Sequence, residues 1–200
     1  TPTPIQRQSI QPILDGRDLF GLAQTGTGKT AAFALPMLQH LLTGPRRKLR
    51  ALIVSPTREL SEQTHVAISG LARQTGLRSL TLYGGVSPQP QIKGLKAGAE
   101  IAVACPGRLL DLYGQGLVNL NAVEIVVLDE ADQMLDMGFL PDLRRISDCL
   151  PRERQTMLFS ATMPGPIQQL AEQILSEPAR VTIAPERATT DLIEHQLYHV

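Results

Sequence analysis

The sequence predicts an α/β fold, a mostly parallel β-sheet with helices packed on both faces, and three observations carry that expectation. Short apolar runs recur along the 200 residues, among them Ala51-Leu52-Ile53-Val54, Ile101-Ala102-Val103-Ala104 and Ile125-Val126-Val127-Leu128. Strands with no polar alternation are buried on both sides, which is the condition of a parallel sheet covered by helices. Helical patterns separate the runs, and nearly every run is followed by a glycine or polar cluster. In such sheets ligands sit at the carboxyl edge, so the clusters define one working surface.

Taken in order, Pro4 to Leu14 places Ile5, Ile10, Ile13 and Leu14 on one side of a helix that Asp15-Gly16 ends. The first strand is Leu19-Phe20-Gly21-Leu22. Its helix begins with Ala31-Ala32-Phe33-Ala34-Leu35 and runs to about Thr43, before a basic surface loop with Arg46, Arg47, Lys48 and Arg50. Strand Ala51 to Val54 leads through Ser55-Pro56-Thr57-Arg58-Glu59-Leu60 into a long helix that Gly76 closes. Leu80 to Tyr83 is a third strand, delivering Gly84-Gly85, and a short helix follows from Gln89 to Leu95. Ile101 to Ala104 ends at Cys105-Pro106-Gly107-Arg108, and Ile125 to Leu128 ends in Asp129-Glu130-Ala131-Asp132. A helix from Pro141 to Leu150, a strand at Met157-Leu158-Phe159 ending in Ser160-Ala161-Thr162, a helix from Pro166 to Leu175 and a strand at Val181-Thr182-Ile183 complete the pattern. Residues 1–183 thus read as one domain, and the polar stretch from Ala184 to Thr190 as a linker. The chain starts without Met and stops in a strand-like run, Gln196 to Val200, which reads as a piece of a longer protein.

Composition narrows the class. With 42% hydrophobic residues the chain suits a single globular α/β domain that buries about 70% of its unfolded surface. Nineteen basic and nineteen acidic residues cancel, so net charge argues neither for nor against a nucleic-acid partner. Cys105 and Cys149 lack metal or redox spacing and read as reduced thiols of a cytoplasmic protein. No stretch has the character of a secretory or membrane segment, so no membrane partner is expected.

The chemistry starts at Ala23-Gln24-Thr25-Gly26-Thr27-Gly28-Lys29-Thr30, set between the first strand and its helix. Gly26 and Gly28 let backbone N–H groups turn inward around an anion, and the helix start adds unpaired N–H groups and partial positive charge. Lys29 supplies a charge for the outer phosphates, and the Thr30 hydroxyl suits the Mg²⁺ that a nucleoside triphosphate carries. Asp129 and Glu130 follow a buried strand directly. From there Asp129 would hold the metal, largely through water, and Glu130 would orient or deprotonate the water attacking the γ-phosphate. A GTPase would want an Asn-Lys-x-Asp element, and none is present.

Thr3-Pro4-Ile5-Gln6, Ala23 to Thr30, Pro56 to Leu60, Gly84-Gly85, Pro106-Gly107-Arg108, Asp129 to Asp132 and Ser160-Ala161-Thr162 together resemble the DEAD-box RNA helicases, in order and spacing across essentially the whole chain. The resemblance is to the first of that family's two RecA-like domains. The run Met134-Leu135-Asp136-Met137-Gly138-Phe139 is most similar to the bacterial RhlE-type branch. It implies ATP as the nucleotide, read at its adenine edge by Gln6, and RNA as a sequence-independent partner held by its backbone. Pro56, Thr57, Arg58, Gly84, Gly85, Pro106, Gly107 and Arg108 would form that RNA surface. Asp132, Ser160 and Thr162 would link hydrolysis to RNA opening. The family's adenine-stacking aromatic would lie upstream of Thr1, and a second RecA-like domain would begin near Gln196. Two positions depart from the family pattern, Ser61 for the usual Ala and Cys105 for the usual Thr; a thiol is the weaker donor toward a phosphate. The expected activity is ATP-dependent RNA unwinding or remodelling, with a nucleotide-dependent RNA clamp that hydrolyses little as the alternative. A P-loop phosphotransferase is a third reading, without an acceptor-site or lid signature.

Overall fold

The computed structural model describes residues 1–184. Its core is a seven-stranded sheet in which every recorded strand pairing is parallel, in the order β3-β4-β2-β5-β6-β1-β7. The strands are β1 (Leu19–Leu22), β2 (Ala51–Val54), β3 (Ser79–Leu82), β4 (Ile101–Ala104), β5 (Ile125–Leu128), β6 (Gln155–Ser160) and β7 (Ala179–Thr182). Eight helices are described: α1 (Pro4–Leu14), α2 (Lys29–Leu41), α3 (Arg58–Leu71), α4 (Gln89–Lys96), α5 (Pro106–Gly114), α6 (Ala131–Asp136), α7 (Leu140–Asp148) and α8 (Gly165–Ile174).

The apolar runs divide their side chains between two cores, as the pleat requires. Ala51, Ile53, Ile101, Val103, Ile125 and Val127 pack with α1, α2 and α3, through Ile5, Phe33, Met37 and Ile68. Leu52, Val54, Ala102, Ala104, Val126 and Leu128 pack on the opposite face, with Leu109 and Leu112 of α5, Met134 of α6, Leu143 and Ile146 of α7 and Leu170 of α8. Helices α5 and α6 are absent from the sequence reading. Both start inside the clusters that mark loops, α5 with Pro106 at its first position and α6 straight after Glu130.

The basic loop is also less solvated than its composition suggests. Arg50 is 2% exposed. Its guanidinium makes two bonds of 2.8 Å to the Glu124 carboxylate and caps the carbonyls of Leu41 and Thr43. Arg46 bonds the buried Glu100 at 2.9 Å. Two of the four cations therefore tie the end of α2 to the amino edge of the sheet. The sequence-based expectations of a linker after Ala184 and a strand at Gln196–Val200 lie outside the described residues.

At the carboxyl edge the sheet continues one bond past most strands. Ala23 N–H donates to Ser160, Ser55 to Ala104, Cys105 to Leu82 and Asp129 to Val54, each at 2.8–3.0 Å. Each functional loop thus begins from a fixed atom. Between β1 and β6 there is room for glycine alone: a Cβ at Gly21 would lie 2.6 Å from the Phe159 ring, which is itself fully buried against Phe33. Gly21→Ala should therefore cost about 1–3 kcal/mol by overpacking. Urea melts should show Gly21→Ala/Phe159→Leu less destabilised than the sum of its single changes; strict additivity would mean that the two side chains do not compete for space.

Candidate nucleotide and RNA site

The glycine loop follows β1 and turns into α2 with Gly26 at φ 84° and Gly28 at φ 92°. Both angles lie in the left-handed region that glycine enters freely. Gly28 is doubly constrained, because a Cβ there would lie 2.6 Å from Gln6 Nε2. That amide donates to the Gly28 carbonyl at 3.2 Å, while Gln6 Oε1 accepts from Thr3 N–H at 3.0 Å. Gln6 is thus seated against the loop with one N–H and one lone pair uncommitted. A cavity of about 500 Å³ opens beside it, lined by Thr3, Pro4, Gln24, Thr25, Gly26 and Ile183 among others.

Two side chains converge on Glu130. Lys29 Nζ lies 2.9 Å from Glu130 Oε1 and donates to the Ala23 carbonyl at 3.1 Å, and Thr25 Oγ1 donates to the same carboxylate oxygen at 3.1 Å. Lys29 and Glu130 are 5% and 8% exposed. Glu130 holds φ 57° and ψ 51°, a conformation that costs a non-glycine residue roughly 1 kcal/mol or more and recurs at functional sites. Asp129 beside it is 6% exposed, and its Oδ1 has no hydrogen-bond partner. Burial pushes its carboxyl up to about 6, against the pull of Lys29. A buried, unpartnered carboxylate oxygen next to the phosphate loop fits a hydrated cation. Among the described residues no group of three or more His, Cys, Asp or Glu could hold a metal unaided. A cation here would need phosphate and water as further ligands, with Thr30 and Asp129 the protein's share.

The structure brings Asp132, Ser160 and Thr162 together. Asp132 Oδ2 accepts from both the N–H and the hydroxyl of Thr162 at 2.9 Å, and Ser160 Oγ donates to the Thr162 carbonyl at 2.7 Å while accepting from Asp132 N–H at 3.3 Å. Burial alone would raise Asp132, but the Thr162, Ser160 and Ala161 hydrogen bonds outweigh it and hold the carboxyl below its usual range.

The other loops lie along the β2, β4 and β3 end of the same edge. Thr57 caps α3 by accepting from Leu60 N–H at 3.3 Å, which places Arg58 in the first turn with its side chain exposed. Gly85 has φ 77°. Gly84, Gly85 and Gly107 are exposed, with no atom near where a Cβ would stand. Pro106 and Gly107 open α5. Arg108 is more enclosed than a free phosphate ligand: it donates to the Val86 carbonyl at 3.2 Å, lies 3.7 Å from Asp111, and leaves Nη1 buried without a partner. Cys105 and Ser61, the two departures, meet at 3.4 Å, and burial raises the thiol. Neither cysteine is in a disulfide. Two residues that the sequence reading left without a role join this region, Glu62 and Tyr83. Only the position of Tyr83, directly before Gly84-Gly85, could have drawn attention to it.

A parallel sheet whose first strand feeds a glycine loop, a Lys and a helix, with an acidic pair at the end of a nearby strand, defines a P-loop NTPase domain of RecA-like architecture. The DEAD/DEAH box helicase family model matches residues 3–177, and the chain belongs to that family. It is 46% identical over 199 residues to the RNA helicase CrhR of Synechocystis sp., covering 100% of this chain and 40% of that protein. It is likewise 46% identical over 198 residues to the DEAD-box ATP-dependent RNA helicase CshA of Streptococcus pneumoniae, covering 99% and 38%. A solved DEAD box protein from Methanococcus jannaschii superposes with a TM-score of 0.84 at 38% identity, over 90% of this chain and 49% of that one. A hypothetical ATP-dependent RNA helicase from Sulfolobus tokodaii gives 0.85 at 36% identity, over 92% and 53%. The chain therefore spans about 40% of the length of the curated relatives.

The Asp129 carboxyl gives a stability test in the nucleotide-free chain. Its raised value means that folding favours the protonated form, so its stabilising contribution is complete below about pH 3.8 and is lost as pH rises through about 6. Asp129→Asn, neutral throughout, should melt several degrees above the parent at pH 7.5 and match it near pH 4, about 1–3 kcal/mol at the upper end. A difference independent of pH would remove burial as the cause.

Proposed function

We propose that this chain is the ATP-binding and hydrolysing half of an ATP-dependent RNA helicase that couples turnover to duplex unwinding or RNA–protein remodelling. The observation that carries the reading is the buried Lys29–Glu130–Thr25 cluster set against an unpartnered Asp129 carboxylate beside the glycine loop. Ala23 to Thr30 cradle the phosphates with backbone N–H groups, and Lys29 exchanges Glu130 for the outer phosphates. Gln6 reads adenine with its remaining N–H and lone pair, which guanine would not match. Thr30 and Asp129 hold Mg²⁺, largely through water; when bound, the ion neutralises charge on the phosphates. Glu130, released from Lys29, orients and deprotonates the attacking water.

RNA backbone lies across Pro56, Thr57, Arg58, Gly84, Gly85, Pro106, Gly107 and Arg108, where helix starts and glycines allow phosphates close approach. The Asp132–Ser160–Thr162 network carries the state of the Glu130 turn toward β6, because Asp132 lies two residues beyond Glu130. A second RecA-like domain in the same protein supplies the cations the phosphate site lacks; the longer relatives support this. Two cysteines outside any disulfide suit a cytoplasmic setting.

In the protein at the length of its relatives, Lys29→Ala and Glu130→Gln should both abolish RNA-stimulated ATPase. Lys29→Ala alone should also weaken ATP binding by about tenfold or more, the scale of a charge-assisted contact. Near-parental turnover by Glu130→Gln would remove its role as base and favour the clamp reading. The 200-residue chain alone should bind adenine nucleotide weakly and hydrolyse it scarcely, because an arginine finger contributes about 10³ to 10⁵ in rate in related phosphoryl transfers. Strong RNA-stimulated turnover by this chain alone would end the split-site proposal.

A further inference from the structure

Arg58, the first residue of α3, and Tyr83, just past β3, meet across the end of β4, with the guanidinium carbon 5.0 Å from the ring centroid. Thr81 and Tyr83 both face α3, since Leu80 and Leu82 pack into the core on the other side of the sheet. Thr81 Oγ1 donates to Glu62 Oε1 at 3.1 Å, and the Tyr83 hydroxyl lies near the same carboxylate, which lowers Glu62 and raises the phenol. Glu62 sits one turn below Arg58 on α3 yet forms no ion pair with it, and among the described residues Arg58 has no hydrogen-bonded acceptor. Stacking occupies only the face of a guanidinium. Its five in-plane N–H groups stay available to an anion.

We propose that Tyr83 is a positioning residue for RNA: set beside α3, it supports the face of Arg58 and aims the guanidinium edge at a phosphodiester of the strand crossing Gly84-Gly85. The inference rests on the RNA-binding reading of that surface. Its chemical content is that Tyr83 makes no contact with RNA of its own and acts through Arg58. A long, exposed arginine loses several rotors when it binds a phosphate, and a platform that already holds it reduces that loss. The contact also ties the loop after β2 to the loop after β3, so the two phosphate-binding stretches keep their spacing.

The test is RNA-stimulated ATPase and fluorescence-anisotropy binding of a single-stranded oligouridylate in the protein at the length of its relatives, for Tyr83→Phe, Tyr83→Leu, Tyr83→Ala, Arg58→Ala and Arg58→Ala/Tyr83→Leu. Tyr83→Leu keeps apolar bulk but loses the π face, and should raise the KM for RNA about fivefold, the scale of an exposed cation–π contact, with the KM for ATP and the kcat at saturating RNA unchanged. Tyr83→Phe keeps the face and loses only the hydroxyl, so its effect should stay within about twofold. Arg58→Ala/Tyr83→Leu should bind RNA no worse than Arg58→Ala alone, because Tyr83 has nothing left to position. The inference is overturned if Tyr83→Leu behaves as the parent, if its effect adds to that of Arg58→Ala, or if the KM for ATP moves with that for RNA. Loss of RNA affinity in Arg58→Ala with none in the Tyr83 variants would sink the inference alone. A parent that neither binds the oligouridylate nor responds to it would sink the RNA reading, and the inference with it.

Discussion

The ion pair between Lys29 and Glu130 is the interaction on which the nucleotide half of this edge depends. Two buried charges 2.9 Å apart, at 5% and 8% exposure, are tolerated because each neutralises the other and each has a further hydrogen bond, to the Ala23 carbonyl and from the Thr25 hydroxyl. Removing one partner would leave an isolated buried charge, which is far more costly than the pair is favourable. The pair fastens the glycine loop after β1 to the acidic turn after β5, with β6 lying between those strands. Under the proposed function, a phosphate that took Lys29 would free Glu130, so that binding would prepare the base.

Asp129 shows the complementary strategy. Its neighbour is paired, but Asp129 is left buried with an oxygen that satisfies nothing. The fold carries that cost in the main chain: Asp129 N–H donates to Val54 at 2.9 Å, and the next residue adopts a left-handed turn without glycine. Asp129 Oδ1 is left buried without a partner, and Glu130 reaches across to Lys29 and Thr25. Their different environments follow from one backbone choice.

Much of this was legible in the residues. The runs of β2, β4 and β5 were apparent because burial on both faces leaves no polar position to obscure them, and the glycine loop was apparent because left-handed angles at residues 26 and 28 select glycine. Helices α5 and α6 were hidden by their own function, since their first turns are the Pro106-Gly107-Arg108 and Ala131-Asp132 clusters that read as loops. Arg50 looked like part of a solvated basic run. Only the pairing of β2 with β5 brings it beside Glu124, 74 residues away in sequence. The strained angle at Glu130 left no trace either, because the residue there is chosen for its carboxylate and not for its backbone. Tertiary placement decided each of these cases, and no local pattern encodes it.

The strand order also separates the two candidate sites. The glycine loop and the acidic pair follow β1 and β5, with the Ser160–Thr162 segment following β6, whereas the loops of the candidate RNA surface follow β2, β4 and β3. The boundary falls between β5 and β2, where Asp129 N–H reaches Val54. The acidic turn is thus hydrogen-bonded on one side to the end of β2 and on the other, through Asp132, to Thr162. Rigid packing of Val126, Leu128, Leu52 and Val54 in one core prevents those strands from moving separately. Under the proposed function the rim would carry the change, through the partners of Lys29, the turn at Glu130 and the hydroxyls of Ser160 and Thr162, and any signal between nucleotide and RNA would run along the sheet's edge.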